Sequence, residues 1–106
     1  MAVDIKEISK KARLFAEDVR QVMPVEKAIL FGSYAKGNAT ELSDVDVCFF
    51  LRDYCGKQRV DVITELLRLG GKYPDVAFEP LAFESADTKK DNPFVREILN
   101  EGIELL

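Results

Sequence analysis

The chain has 106 residues, room for one domain (1–106) with one modest core and not for a second. Hydrophobic residues make up 47% and charged residues 32%, a globular composition rather than a disordered or fibrous one. Fifteen Lys and Arg against 19 Asp and Glu give a formal charge of −4. That argues against a general nucleic-acid binder, which needs a basic surface. No apolar run reaches the roughly 20 residues of a membrane span, and no membrane partner is expected. The opening MAVDIKEISKK mixes acids with lysines and lacks the apolar segment of a signal peptide. Cys48 and Cys55 form no CxxC pair, so a reduced, cytoplasmic protein without a disulfide is expected. Histidine is absent. This removes Ser-His-Asp and Cys-His mechanisms and leaves a zinc site short of ligands. Any catalysis must rest on carboxylates, lysines, hydroxyls or a metal.

Residues 4–23 read as a helix, with Ile5, Ile8, Ala12, Phe15, Val19 and Val22 at steps of three and four. Under three heptads long, the stretch suits a helix laid on a sheet better than a coiled-coil seam. Pro24 stops it. Ala28 to Phe31 is a short apolar strand running into Gly32-Ser33. A polar turn over 39–43 leads to a second strand, 44–51, and residues 53–57 read as loop. A second amphipathic helix over 58–69 carries Val60, Ile63, Leu66 and Leu67 and ends at Gly70-Gly71. A third strand covers 76–83, and Lys89-Lys90-Asp91 is a polar loop. Asn92 then caps a helix with Pro93 in its first position and Phe94, Ile98 and Leu99 on one face. Gly102 closes this helix before an apolar tail, 103–106. The order predicts an α/β (α+β) fold, a small mixed β-sheet flanked by helices.

Gly32 permits a tight turn after the first strand. Ser33 and the following amides would open a short helix whose N–H groups suit a nucleotide's phosphates. Asp44 and Asp46 lie two apart at the start of the next strand. Their carboxylates therefore share a face, with Cα atoms roughly 7 Å apart. Two acids on one face repel unless a cation lies between them, and a pair of Mg²⁺ ions would supply that charge. Val45, Val47, Phe49 and Leu51 pack the opposite face, while Cys48 and Phe50 continue the acid face into apolar surroundings. A strand apolar on both faces is an inner one.

Gly32-Ser33, ten residues, then Asp44-x-Asp46 resembles the signature of the minimal nucleotidyltransferases in the DNA polymerase β-like superfamily. The likeness spans essentially the whole chain and implies that superfamily's core fold. It implies transfer of NMP, AMP from ATP favoured, to an acceptor hydroxyl with release of pyrophosphate. Gly32 and Ser33 would hold the triphosphate, and Asp44 and Asp46 would hold two Mg²⁺ ions. The family places a third carboxylate on a later strand, usually Asp. Here Glu79 and Asp75 compete, and Glu79, inside the strand and followed by Pro80, is preferred as metal ligand and base. Members resembling this chain pair with a small helical HEPN-domain toxin and act as its antitoxin, some by adenylylating it. Larger relatives append further domains, so a partner protein that brings the acceptor is the expectation here.

Lys36 and Ser43 complete the candidate nucleotide-binding set, although a surface charge is the plainer reading of Lys36 and Ser43 could equally cap the Asp strand. Arg52 and Arg59 read as surface charges, and Tyr34 as packing on the sheet. An alternative from another class is a non-catalytic module that neutralises a partner by occlusion, using the acidic surface and the tail Ile103-Leu105-Leu106. An NTP sensor without turnover is a third.

Overall fold

The computed structural model describes residues 4–40, 43–86 and 92–106. Helix α1 (Ile5–Arg20) opens on Asp4, whose carboxylate accepts from the amides of Lys6 at 3.0 Å and Glu7 at 3.4 Å. It ends three residues before the expected limit. Val22 and Met23 turn their amides back to the Val19 carbonyl, which brings the chain round to Pro24. Strand β1 (Val25–Phe31) is longer than the apolar run, because exposed Glu26 and Lys27 belong to it. Its register against the next strand shifts between Val25 and Lys27, a local irregularity that no hydrophobic pattern would reveal. A short helix α2 (Ser33–Lys36) follows, then β2 (Val45–Leu51), α3 (Arg59–Gly70), β3 (Phe78–Glu84), α4 (Pro93–Glu101) and β4 (Ile103–Glu104).

The sheet order is β3-β2-β1-β4, so β2 is an inner strand as its two apolar faces require. β1 runs antiparallel to β2 and β4, while β2 and β3 are parallel, with α3 providing the crossover between them. The sheet is therefore mixed, and helices cover both of its faces. One face carries Val45, Val47, Phe49 and Leu51 into a core with Phe15, Val19, Val62 and Leu66 from α1 and α3. There the Phe15 ring meets Phe49 edge-on at 5.4 Å and Phe78 at 4.6 Å. The other face carries Ile29, Cys48 and Phe50 against Val95 and Ile98 of α4. Burial pushes the Cys48 thiol up to about 12, which makes it an inert packing group. Both cysteines are free.

Three expectations change. Val60 and Leu67 of α3 face solvent, because contact with α1 and the sheet runs through Val62, Leu66, Leu69 and Gly70 instead. Phe94 and Leu99 of α4 are likewise exposed, and Val95 and Ile98 make the contact. The apolar tail is only partly free: β4 pairs with β1, the Leu105 amide donates to the Ala28 carbonyl at 2.8 Å and the Leu105 side chain is buried, while Ile103 and Leu106 stay exposed. The edge of β1 has unpaired backbone groups, and two residues after Gly102 satisfy them. Asn92 caps α4 as expected, accepting from the amides of Phe94 and Val95. Lys89-Lys90-Asp91 and the middle of the 39–43 turn lie outside the described residues. Among the described residues no helix is long and apolar enough to cross a membrane.

Candidate active site

The Gly-Ser turn sits where β1 leaves the sheet. Gly32 has φ +75° and ψ −148°, a conformation open in practice to glycine alone. Its missing side chain is also used. A Cβ at Gly32 would collide with Oδ2 of Asp46, so the Asp46 carboxylate occupies the space that any other residue would fill. Pairing explains the approach, since Asp46 lies opposite Phe31, the last residue of β1. From Ser33, α2 rises for one turn and closes on Gly37, whose left-handed conformation (φ +80°) returns its amide to the Ser33 carbonyl. Tyr34 anchors this turn in the core, as packing rather than as a stacking platform.

The acids come together across two strands. Asp44 is exposed just before β2 begins at Val45, one residue later than expected, and Asp46 is partly buried within it. The parallel register of β2 and β3 sets Glu79 beside Asp46. Glu79 is held above the usual carboxylate range, first by a carboxyl contact with Asp44, then by the charge of Asp46 and by burial. Asp46 is raised as well, by burial first and the charge of Asp44 second. The expectation that Glu79 is buried within its strand is corrected: its side chain is exposed, and neighbouring charge outweighs burial in its shift. Asp75, the rival third acid, is elsewhere. It forms an exposed ion pair with Lys11 of α1, which holds its carboxyl below the usual range.

The remaining candidates are engaged away from the acids. Lys36 pairs with Glu97 of α4 at 3.1 Å. The Ser43 hydroxyl accepts from the Thr40 amide at 2.9 Å, closing the turn that precedes Asp44. Arg52 pairs with adjacent Asp53, while Arg59 donates to the Ala82 carbonyl at 3.0 Å and lies 4.9 Å over the Phe83 ring. Glu97, given no part by sequence reasoning, owes its place to α4 crossing beside α2, which helical periodicity cannot foretell.

Asp44, Asp46 and Glu79 offer oxygen donors only, the set that a hard cation such as Mg²⁺ prefers. The raised carboxyls of Asp46 and Glu79 record a shortage of positive charge that such a cation would relieve. Among the described residues no group of three or more His, Cys, Asp or Glu closes into a metal cage by itself. Mg²⁺ ordinarily takes one or two carboxylates and completes its shell with water and substrate phosphates, so the donor set fits.

A glycine turn opening a short helix thus lies against carboxylates on two adjoining strands. Residues 12–105 match the nucleotidyltransferase domain model, and the chain belongs to that family of enzymes. Two Methanocaldococcus jannaschii proteins are similar to it. "Putative protein adenylyltransferase MJ0141" is 32% identical over 97% of this chain and 100% of its own length. "Putative protein adenylyltransferase MJ0604" is 39% identical over 74% of this chain and 75% of its own. Among solved structures, a "putative nucleotidyltransferase" from Sulfolobus solfataricus shares the fold with a TM-score of 0.68 at 16% identity, over 94% of this chain and 80% of that one. A structure described as "the toxin-antitoxin with AMP-PNP" does so with a TM-score of 0.62 at 16% identity, over 89% and 70%.

Proposed function

We propose that the protein transfers AMP from ATP to a hydroxyl of a partner protein, releasing pyrophosphate. The observation that carries this reading is the convergence of Asp44, Asp46 and Glu79 beside a glycine turn shaped to admit the Asp46 carboxylate. Gly32 and Ser33 would bind and orient the triphosphate through backbone amides and the Ser33 hydroxyl. Asp44 and Asp46, with Glu79, would hold up to two Mg²⁺ ions. When bound, these supply charge neutralisation for the phosphates and the leaving pyrophosphate. Glu79, on the edge strand and exposed, would take the proton of the incoming hydroxyl. The names of the two M. jannaschii relatives support an adenylyl donor and a protein acceptor. The toxin–antitoxin neighbour, with the family resemblance, supports a HEPN-type toxin as that acceptor and an antitoxin role in the cytoplasm.

The test is incubation with α-labelled ATP, GTP, CTP and UTP and Mg²⁺, with and without the product of the adjacent gene. Label from ATP on that partner is the expected result. Tight inhibition of the partner without label, surviving Asp44→Asn, would establish occlusion instead.

The third acid has its own test. Glu79→Gln is expected to lower transfer at least about a hundredfold while ATP binding changes little. Asp75→Asn, which loses only an exposed ion pair, is expected to leave transfer intact and to change stability little. Reversal of the two outcomes in the label assay would reassign the base.

A further inference from the structure

We propose that the cleft between α2 and α4 receives the nucleoside end, base and ribose, of the nucleotide whose phosphates lie at Gly32 and Ser33. This rests on the nucleotidyltransferase reading above. The cleft measures about 240 Å³. That is below the roughly 300–1,000 Å³ of sites that enclose a whole drug-sized ligand, and so suits part of a nucleotide rather than all of it. Its walls are apolar: Phe31 from the end of β1, Ala35 from α2, and Phe94 and Ile98 from α4. Phe94 meets Phe31 edge-on at 6.1 Å yet is 46% exposed, leaving aromatic surface uncovered beside the opening. A nucleobase presents a π face that stacks on such a surface whatever its hydrogen-bonding pattern.

Charge fixes the orientation. The rim carries Glu97 and Glu101 with Lys36, and Lys36 is already neutralised by Glu97. Phosphates would be repelled there, whereas ribose hydroxyls and base amines can donate to the two carboxylates. Gly32 lines the cleft and also abuts Asp46, so one ligand can reach both places with its polyanionic end at the amide turn. An elongated molecule with an aromatic head and a phosphate tail meets these conditions. An aromatic side chain of the acceptor protein meets only the first.

Calorimetric titration of wild type, Phe94→Ala and Ala35→Leu with ATP and, separately, with inorganic tripolyphosphate in Mg²⁺ tests the assignment. Removing the stacking surface or filling the cleft should weaken ATP about tenfold and leave tripolyphosphate within about twofold. Phe94 is half exposed and Ala35 lies at the cleft, so thermal melts near wild type are expected for both variants. Unchanged ATP affinity in both variants, or equal weakening of ATP and tripolyphosphate, would overturn the proposal. If wild type meanwhile transfers label, only the cleft assignment falls. If wild type binds neither probe, the nucleotidyltransferase reading falls with it.

Discussion

Replacing Asp46 with Asn is expected to lower AMP transfer by about a thousandfold or more, the scale seen when one preorganised charge-stabilising group is removed from a catalytic site. Asp46 is the most constrained of the three acids. It is fixed opposite Phe31 on one side and Glu79 on the other, partly buried, with its carboxylate against Gly32. An amide of the same shape keeps the packing but loses the charge that would hold the cation. The same substitution should raise the melting temperature of the metal-free protein. Asp46 and Glu79 both titrate above their ordinary values in the folded chain. A group so raised contributes its stability at low pH and loses it as pH rises through the folded value. The difference between variant and wild type should therefore open above the carboxylate range and close below it. Saturating Mg²⁺ should reverse the order, since only wild type gains binding free energy. Melts with EDTA and with Mg²⁺ across pH read this directly. A variant that transfers AMP at the wild-type rate would remove Asp46 from the chemistry.

Gly32→Ala should damage stability and activity together. The conformation at φ +75° and ψ −148° costs a side-chain-bearing residue about 1–3 kcal/mol. The new methyl must also displace the Asp46 carboxylate, moving the group on which metal binding depends. A fall in melting temperature of about 10 °C and loss of transfer are expected together. Gly37→Ala separates the two effects. Its φ is +80°, close to that of Gly32, but nothing lies within 4 Å of its would-be Cβ. About 1 kcal/mol, or about 5 °C, should be lost there, with transfer largely retained. Equal melting losses with transfer kept in both variants would show that the approach of Gly32 to Asp46 is dispensable.

Much of the site is legible along the chain because its geometry is local. The two-residue period of a strand puts Asp44 and Asp46 on one side, and a strand ending in Gly-Ser announces a turn into a short helix. Asn92-Pro93 states its own cap. By contrast, the sequence prefers Glu79 over Asp75 without excluding either. What separates them is where each lands: Asp75 falls in the turn before β3, where Lys11 takes it, while the parallel register of β2 and β3 sets Glu79 beside Asp46. The same limit explains why Val60 and Leu67 looked buried: α3 is apolar over a wider arc than its neighbours can cover.

Composition and spacing thus determined a mixed α/β fold, a glycine turn into a short helix and a pair of neighbouring carboxylates, because each follows from contacts among residues close in sequence. Tertiary structure decided the placement of Glu79 beside Asp46, the pairing of Lys36 with Glu97, the pairing of the tail as β4 and the cleft beside Gly32. Each of these joins segments whose mutual placement is set by sheet register and helix crossing, and neither quantity is encoded in the period of any single element.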